Sequence, residues 1–367
     1  MSAKAISRAI CLIFAAAAAV CPTANAATFV YVSNADSQDI SVFSLDESEG
    51  TLAPVETVGV RGTVMPMAFS PNHLRLYAVL RSQPYRVVSF AVNPLNGRLT
   101  ELGRASLAES MAYVSTDATG RYLFSASYGG NLLAVNSIGA DGIVGSVQQI
   151  IKTGPMAHAI RNAPDNRYVF ASVLGADVWL RLKFDASNGS LTEDAAPAYS
   201  LAPKSGPRHF VFSPNRRFAY LIDELDGKLH VLSFDNQRDT VKPVQTVSIL
   251  PANFSGDKPW GADVHITPDG RFLYASERTS STLAAYRVNA ATGRLTRIGT
   301  FATEKQPRGF NIDPSGNYLL AVGQLSPNLT AYRIDHKTGA LNALGQFPVG
   351  KGANWIEIAE FGGSNAD

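Results

Sequence analysis

One short pattern, a proline turn running into an aromatic strand, returns from one end of the chain to the other. It is clearest as Pro268-Asp269-Gly270-Arg271-Phe272-Leu273-Tyr274. Other copies begin at Pro71, Ala118, Pro164, Pro214 and Pro314, so the anchors stand 47, 46, 50, 54 and 46 residues apart. A repeat of that length, with no long helical pattern between copies, predicts a propeller blade. The fourth copy shows why. Arg208 to Ser213 alternates as a first strand, Pro214-Asn215-Arg216 turns, and Phe218 to Ile222 returns. Asp226-Gly227 marks a hairpin into a third strand, Lys228 to Phe234, and Val244 to Leu250 is expected as the fourth.

The ends of the chain carry half a repeat each. Phe29 to Ser33 reads as a second strand without a first, and Trp355 to Phe361 as a first strand without a second. Joined, they make a seventh blade and remove the edges that an open array would expose. The fold class is therefore all-β, a seven-bladed propeller with four antiparallel strands per blade, closed by its terminal strands. It occupies residues 27–367 as one domain.

Residues 1–26 have a different character. Lys4 and Arg8 precede an apolar run from Ala9 to Val20, and Ala24-Asn25-Ala26 has the small-x-small form of a cleavage site. The run is shorter than the roughly 20 residues that cross a bilayer, so it predicts a secretory signal peptide and a periplasmic or secreted product. Both cysteines, Cys11 and Cys21, fall within it. The mature chain then has no disulfide, no cysteine metal site and no cysteine nucleophile. Removing Lys4 and Arg8 from the 32 basic residues leaves 30 against 30 acidic ones. That balance argues against nucleic acid or an anionic membrane as partner. Nothing in the sequence demands an oligomer, and a monomer is expected.

Blade geometry separates two kinds of position. Residues just before the first strand and just after the second meet at one mouth of the central channel; the proline turns lie at the other. Six residues before the anchors stand Met65, Ala112, His158, Arg208, Ala262 and Arg308, and ten after stand Arg81, Tyr128, Leu174, Glu224, Arg278 and Gln324. These columns change from blade to blade where the turn hardly varies. His158 and Glu224 are the candidate catalytic groups, able to activate water and move a proton. Arg208, Arg278, Arg308, Tyr128 and Gln324 are candidates for binding an anionic substrate. Arginines at strand starts also cap carbonyls or pair with acids, and a lone histidine is often structural. His209 and His265 fit packing or hydrogen-bonding roles, and Gly129-Gly130 reads first as a turn. No metal-ligand spacing, Walker loop or Gly-x-Ser-x-Gly elbow is present, and an Asp-rich calcium turn stays open.

Taken together, Gly120 to Gly130, Leu174 to Asp177, Gly206-Pro207-Arg208-His209, Asp223-Glu224-Leu225, His265 to Arg278 and Pro307 to Phe310 resemble the seven-bladed β-propeller lactonases. That family includes 6-phosphogluconolactonases and carboxy-muconate lactonizing enzymes. The resemblance implies opening or closure of a lactone at a site made by His158, Arg208, Glu224 and Arg278, with no cofactor or metal. The chain departs from the family pattern at Arg81, Met156, Val173, Asp263, Glu277 and Gly323. Because 6-phosphogluconolactone is cytoplasmic, an exported relative points to a sugar or carboxylated lactone outside that compartment. The rival class is a noncatalytic binding propeller, similar to the YVTN-type surface repeats that Tyr31-Val32-Ser33-Asn34 resembles. The enzyme reading expects Arg208 or Glu224 replaced by alanine to lose turnover with melting nearly unchanged.

Overall fold

The computed structural model describes residues 27–235, 240–256 and 258–362. The expected signal peptide, residues 1–26, lies outside the described residues. Seven antiparallel sheets stand around a channel. Their innermost strands are Val64–Phe69, Tyr113–Thr116, Ala157–Asn162, Pro207–Phe212, Gly261–Ile266, Gly309–Ile312 and Ala353–Phe361, and the sheets are blades 1 to 7 in that order. Each inner strand lies against the next, and Ala353–Phe361 lies against Val64–Phe69, which closes the ring. Blade 7 is assembled from both ends: Ala353–Phe361 pairs with Ala27–Asn34, which continues into Asp39–Leu45 and Leu52–Gly59.

The part of the repeat that recurs most closely is the glue between blades. In blade 5, Asp269 Oδ1 accepts hydrogen bonds from Thr267 Oγ1 at 2.6 Å and from the Arg271 amide at 3.0 Å, closing the turn. The second-strand tyrosine then reaches the neighbouring blade. Tyr220 Oη donates to the Gly293 carbonyl at 3.1 Å, Tyr274 to Gly339 at 2.9 Å and Tyr31 to Gly97 at 2.8 Å. Gly293 has a φ of +71°, and a Cβ there would stand 2.5 Å from the Phe218 ring, so both the turn and the packing require glycine.

The core lies between sheets. Trp179 is fully buried, stacked on Phe170 at 4.3 Å and met edge-on by Phe210 at 5.2 Å. The fourth strand of blade 4 differs from expectation. It runs Thr240–Ser248, beginning before Pro243 rather than after it. The register shifts between Val231 and Leu232, so the proline sits at a bulge on an outer strand, where its missing N–H costs no ladder bond. In blade 3 the outer layer is split, Ser190–Glu193 and Tyr199–Ser200 both pairing with Val178–Asp185.

Candidate active site

Five inner strands carry one extra residue at the same place: in blade 7 it is Asn354, between Ala353 and Trp355, and the other four lie in the column that varies from blade to blade. In those four the register shifts between Val64 and Met67, Ala157 and Ala159, Pro207 and Phe210, and Gly261 and Val264. A bulge bends its strand and re-aims the side chains within it. Here those residues are Met65, His158, Arg208 and Ala262, the varying column six residues before each anchor. Two of the amides displaced from the ladder are satisfied by serines on the second strand: Ala159 donates to Ser172 Oγ at 3.1 Å and Asp263 to Ser276 Oγ at 3.0 Å.

Glu224 organises the mouth. Its Oε2 accepts from Arg208 Nε and from Arg278 Nη2, each at 2.8 Å. Arg208 is fully buried; its Nη1 donates to the Ala262 carbonyl, and its Nη2 has no partner. Arg278 is 2% exposed, lies 3.9 Å over the Trp260 ring and donates to the Gly261 carbonyl at 3.2 Å. Burial would raise the Glu224 pKa, but Arg208, Arg278 and Arg308 outweigh it and hold the carboxylate below its usual range. Arg278 moves the other way, its pKa brought down to about 9 by burial first and then by Arg208, so it remains charged at neutral pH.

His158 is buried beside this group, with its Nδ1 unpartnered. That leaves Nε2 as the ring nitrogen available to the mouth. Burial, then Arg208, His209, Arg308 and Arg278, push its pKa well below the ordinary histidine value, so the imidazole is neutral at pH 7. Tyr128 meets it edge-on at 6.0 Å. Burial and then Glu224 raise the Tyr128 pKa, so the phenol keeps its proton. Arg308 has an unpartnered buried Nε, and burial, Arg208, Arg278 and Arg81 all lower its proton affinity. Arg81, Arg208, Arg278 and Arg308 outnumber the carboxylates of Glu224, Glu277 and Asp263 that act on them, which leaves the mouth positive with donors to spare for an anion.

His158, Arg208, Glu224 and Arg278, with Tyr128 and Arg308, are thus brought together. Gln324 shares the rim through its backbone, its amide donating to the Gln306 carbonyl at 3.0 Å. Among the described residues no hydrogen bond joins the Gln324 side chain to the arginines. Among the described residues, too, no group of three or more His, Cys, Asp or Glu side chains is arranged to hold a metal ion. A crevice of about 320 Å³ lined by Phe170, Phe212 and Phe234 also takes in turn residues Pro164, Asp165 and Arg216, so it belongs to the opposite face and is no part of this site.

A family model described as lactonase, seven-bladed β-propeller, matches residues 26–358. The chain belongs to the seven-bladed β-propeller lactonase family. A 6-phosphogluconolactonase of Serratia proteamaculans is 40% identical over 329 residues, 90% of this chain and 98% of that one. One from Pectobacterium carotovorum is 43% identical over 283 residues, 77% of this chain and 84% of that one. Among solved structures, the periplasmic gluconolactonase of Pseudomonas aeruginosa superposes with a TM-score of 0.83 at 27% identity, covering 91% of this chain and 99% of that one.

Within this lactonase family member four of the departures from pattern have a clear structural setting. Glu277 accepts from the amides of Trp260 at 2.7 Å and Ser280 at 2.6 Å, so it fixes the loops that bring Trp260 over Arg278. Arg81 adds a further cation, donating from Nε to Ser110 Oγ at 3.0 Å. Met156 is 37% exposed on the rim, its amide held by Asn131 Oδ1 at 2.9 Å. A Cβ on Gly323 would stand 2.2 Å from the Lys305 carbonyl, so no larger residue fits this backbone path. The sequence reading missed Trp260 because it sits in an irregular loop outside both columns. Nothing in the residue pattern marks it, because the burial of Arg278 that Trp260 completes emerges only when the loop meets the mouth in space.

Proposed function

We propose that this protein hydrolyses a small anionic lactone derived from a sugar or a carboxylated ring, as an exported enzyme acting as a single chain. The observation that carries the reading is the Arg208–Glu224–Arg278 fork set beside a neutral His158 whose free nitrogen meets the mouth. The fork and Arg308 would hold the substrate's anionic group and meet charge developing on the lactone carbonyl oxygen. His158 Nε2 would take a proton from water as the water oxygen bonds to the carbonyl carbon. Collapse then breaks the acyl carbon to ring oxygen bond, and the alkoxide recovers that proton from His158. Glu224, held ionised by its arginines, fits a positioning role better than that of base.

The family's name, the relatives named 6-phosphogluconolactonase and the periplasmic gluconolactonase all support lactone chemistry. The signal-like residues 1–26 support export. A pH-stat assay of the mature chain against sugar, phosphosugar and muconate-derived lactones tests the reading beside His158→Gln. Acid release by the parent and its loss in the variant are expected. Silence from a folded parent across the panel would overturn it in favour of a binding propeller. Mass spectrometry of the exported chain should find Ala27 at its start.

A further inference from the structure

Behind His158 the channel holds a second histidine for which lactone hydrolysis as described above has no use. His209 is buried against Tyr113 at 5.0 Å and Trp355 at 5.6 Å, and its ring centroid lies 5.2 Å from that of His158. Its Nδ1 stands 2.8 Å from Asp263 Oδ1. Asp263 also accepts from the Val264 amide at 3.0 Å, and its Oδ2 lies 3.3 Å from His265 Nε2. Burial would raise the Asp263 pKa, yet His265 and His209 overcome it, so the carboxylate is ionised. An ionised carboxylate only accepts, and burial and then Arg208 bring the His209 pKa down to about 3, so the neutral ring places its proton on Nδ1 and leaves a lone pair on Nε2. That Nε2 is buried and unpartnered, as is His158 Nδ1. Two buried nitrogens without partners on adjacent rings call for an explanation.

We propose that the Asp263–His209 pair positions His158, its Nε2 accepting directly from His158 Nδ1–H after a small rotation of the two adjacent rings, which make no hydrogen bond in this structure. This rests on His158 acting as the base in lactone opening. The pair holds His158 in the Nδ1–H tautomer, which puts the lone pair on Nε2 at the mouth. When Nε2 takes a proton, the bond to His209 becomes charge-assisted and stronger. His158 needs that help, because Arg208, Arg278 and Arg308 all oppose its protonation. His209 and Asp263 touch no reacting atom; they act through His158, as a buried carboxylate orients a catalytic imidazole in a hydrolytic triad.

The test is nitrogen-15 NMR of the mature chain labelled at histidine, without substrate, with the ring resonances of the six histidines assigned by single variants. The parent should show His158 and His209 both as Nδ1–H. His209→Phe keeps a ring against Tyr113 and Trp355 but removes the acceptor, and should release His158 into a mixture of tautomers. On an active lactone it should lower kcat roughly 100-fold with KM within about twofold. His209→Gln, whose side-chain oxygen can accept, should restore part of the loss. A parent His158 found as Nε2–H overturns the proposal even if no variant folds, as does an unchanged His158 tautomer in His209→Phe. A parent inactive on every lactone whose His158 still responds to His209→Phe would sink the hydrolase reading and leave the positioning intact.

Discussion

Arg208 and Glu224 hold each other at 2.8 Å, and Arg208 is wholly buried while it does so. That changes what removing either should do. The sequence reading expects lost turnover with melting nearly unchanged, as for a surface-lined site. A buried pair behaves differently: deleting one partner leaves an uncompensated charge, at a cost of about 3 kcal/mol. Arg208→Ala should therefore lose activity and stability together, read as a lower denaturant midpoint with an unchanged slope. Glu224→Gln keeps the volume and one acceptor but leaves Arg208, Arg278 and Arg308 without their shared carboxylate, so it should lose at least as much stability as Arg208→Ala, which leaves Glu224 paired with Arg278. A full-stability Arg208→Ala would mean that the guanidinium is solvated in solution.

The fold was legible because its glue has strict chemical needs. A turn with a positive-φ residue asks for glycine at Gly270, and ring packing against Phe218 asks for it at Gly293. The positive φ recurs two residues after each of the six anchors, filled by Gly120, Gly270 and Gly316 and otherwise by His73, Asn166 and Arg216, and so prints a period. The mouth was legible for the opposite reason: His158, Arg208 and Arg278 break the period. What stayed hidden has no residue signature. A bulge adds one residue without preferring a type, so the aim of His158 could not be read from its position alone. Trp260 and the Asp263–His209 contact depend on loops and blades meeting in space.

Arg278 makes contacts that a lysine cannot reproduce together. It lies 3.9 Å over Trp260 while bonding to Glu224 and to the Gly261 carbonyl. A lysine is a point charge on a flexible stem and would keep one of these. Arg278→Lys should raise KM for an anionic substrate roughly 10-fold while kcat changes less, because the lost contacts bind rather than react. Steady-state kinetics at fixed ionic strength decides it. A fall confined to kcat would move Arg278 into the chemical step.

Glu357 gives the channel a pH signature. It shares a cavity of about 180 Å³ with Arg161, His209, Asp263, His265 and Trp355. Burial raises its pKa to about 7, Asp263 adding to the effect while the Trp355 indole, His265 and Arg161 oppose it. Below an ordinary carboxyl pKa both folded and unfolded chains are protonated and the group costs nothing. As pH rises from about 4.5 to 7 the unfolded chain loses its proton first, so this group lowers stability progressively and then levels off. Glu357→Gln retains an acceptor for Trp355 Nε1, now 2.8 Å from Oε1. Its melting temperature relative to the parent should climb between pH 5 and 7 and stay level to pH 8. A constant offset across that range would show that Glu357 ionises normally.

Gly261 couples blade packing to the mouth. A Cβ there would stand 2.2 Å from the Asp223 carbonyl oxygen, a backbone atom that cannot swing aside. Its amide also donates to the Glu224 carbonyl at 3.0 Å, and its own carbonyl accepts from Arg278. Pushing the two blades apart must shift Glu224 and Arg278 relative to each other. Gly261→Ala should cost about 1–3 kcal/mol by overpacking and reduce kcat/KM more than that loss of folded population explains. Gly59→Ala is the control, since nothing lies within 4 Å of a Cβ at Gly59. Equal melting and equal kcat/KM in the two variants would show that blades 4 and 5 can separate without disturbing the fork. The predicted difference would instead place the alignment of Glu224 with Arg278 under the control of that one close backbone approach.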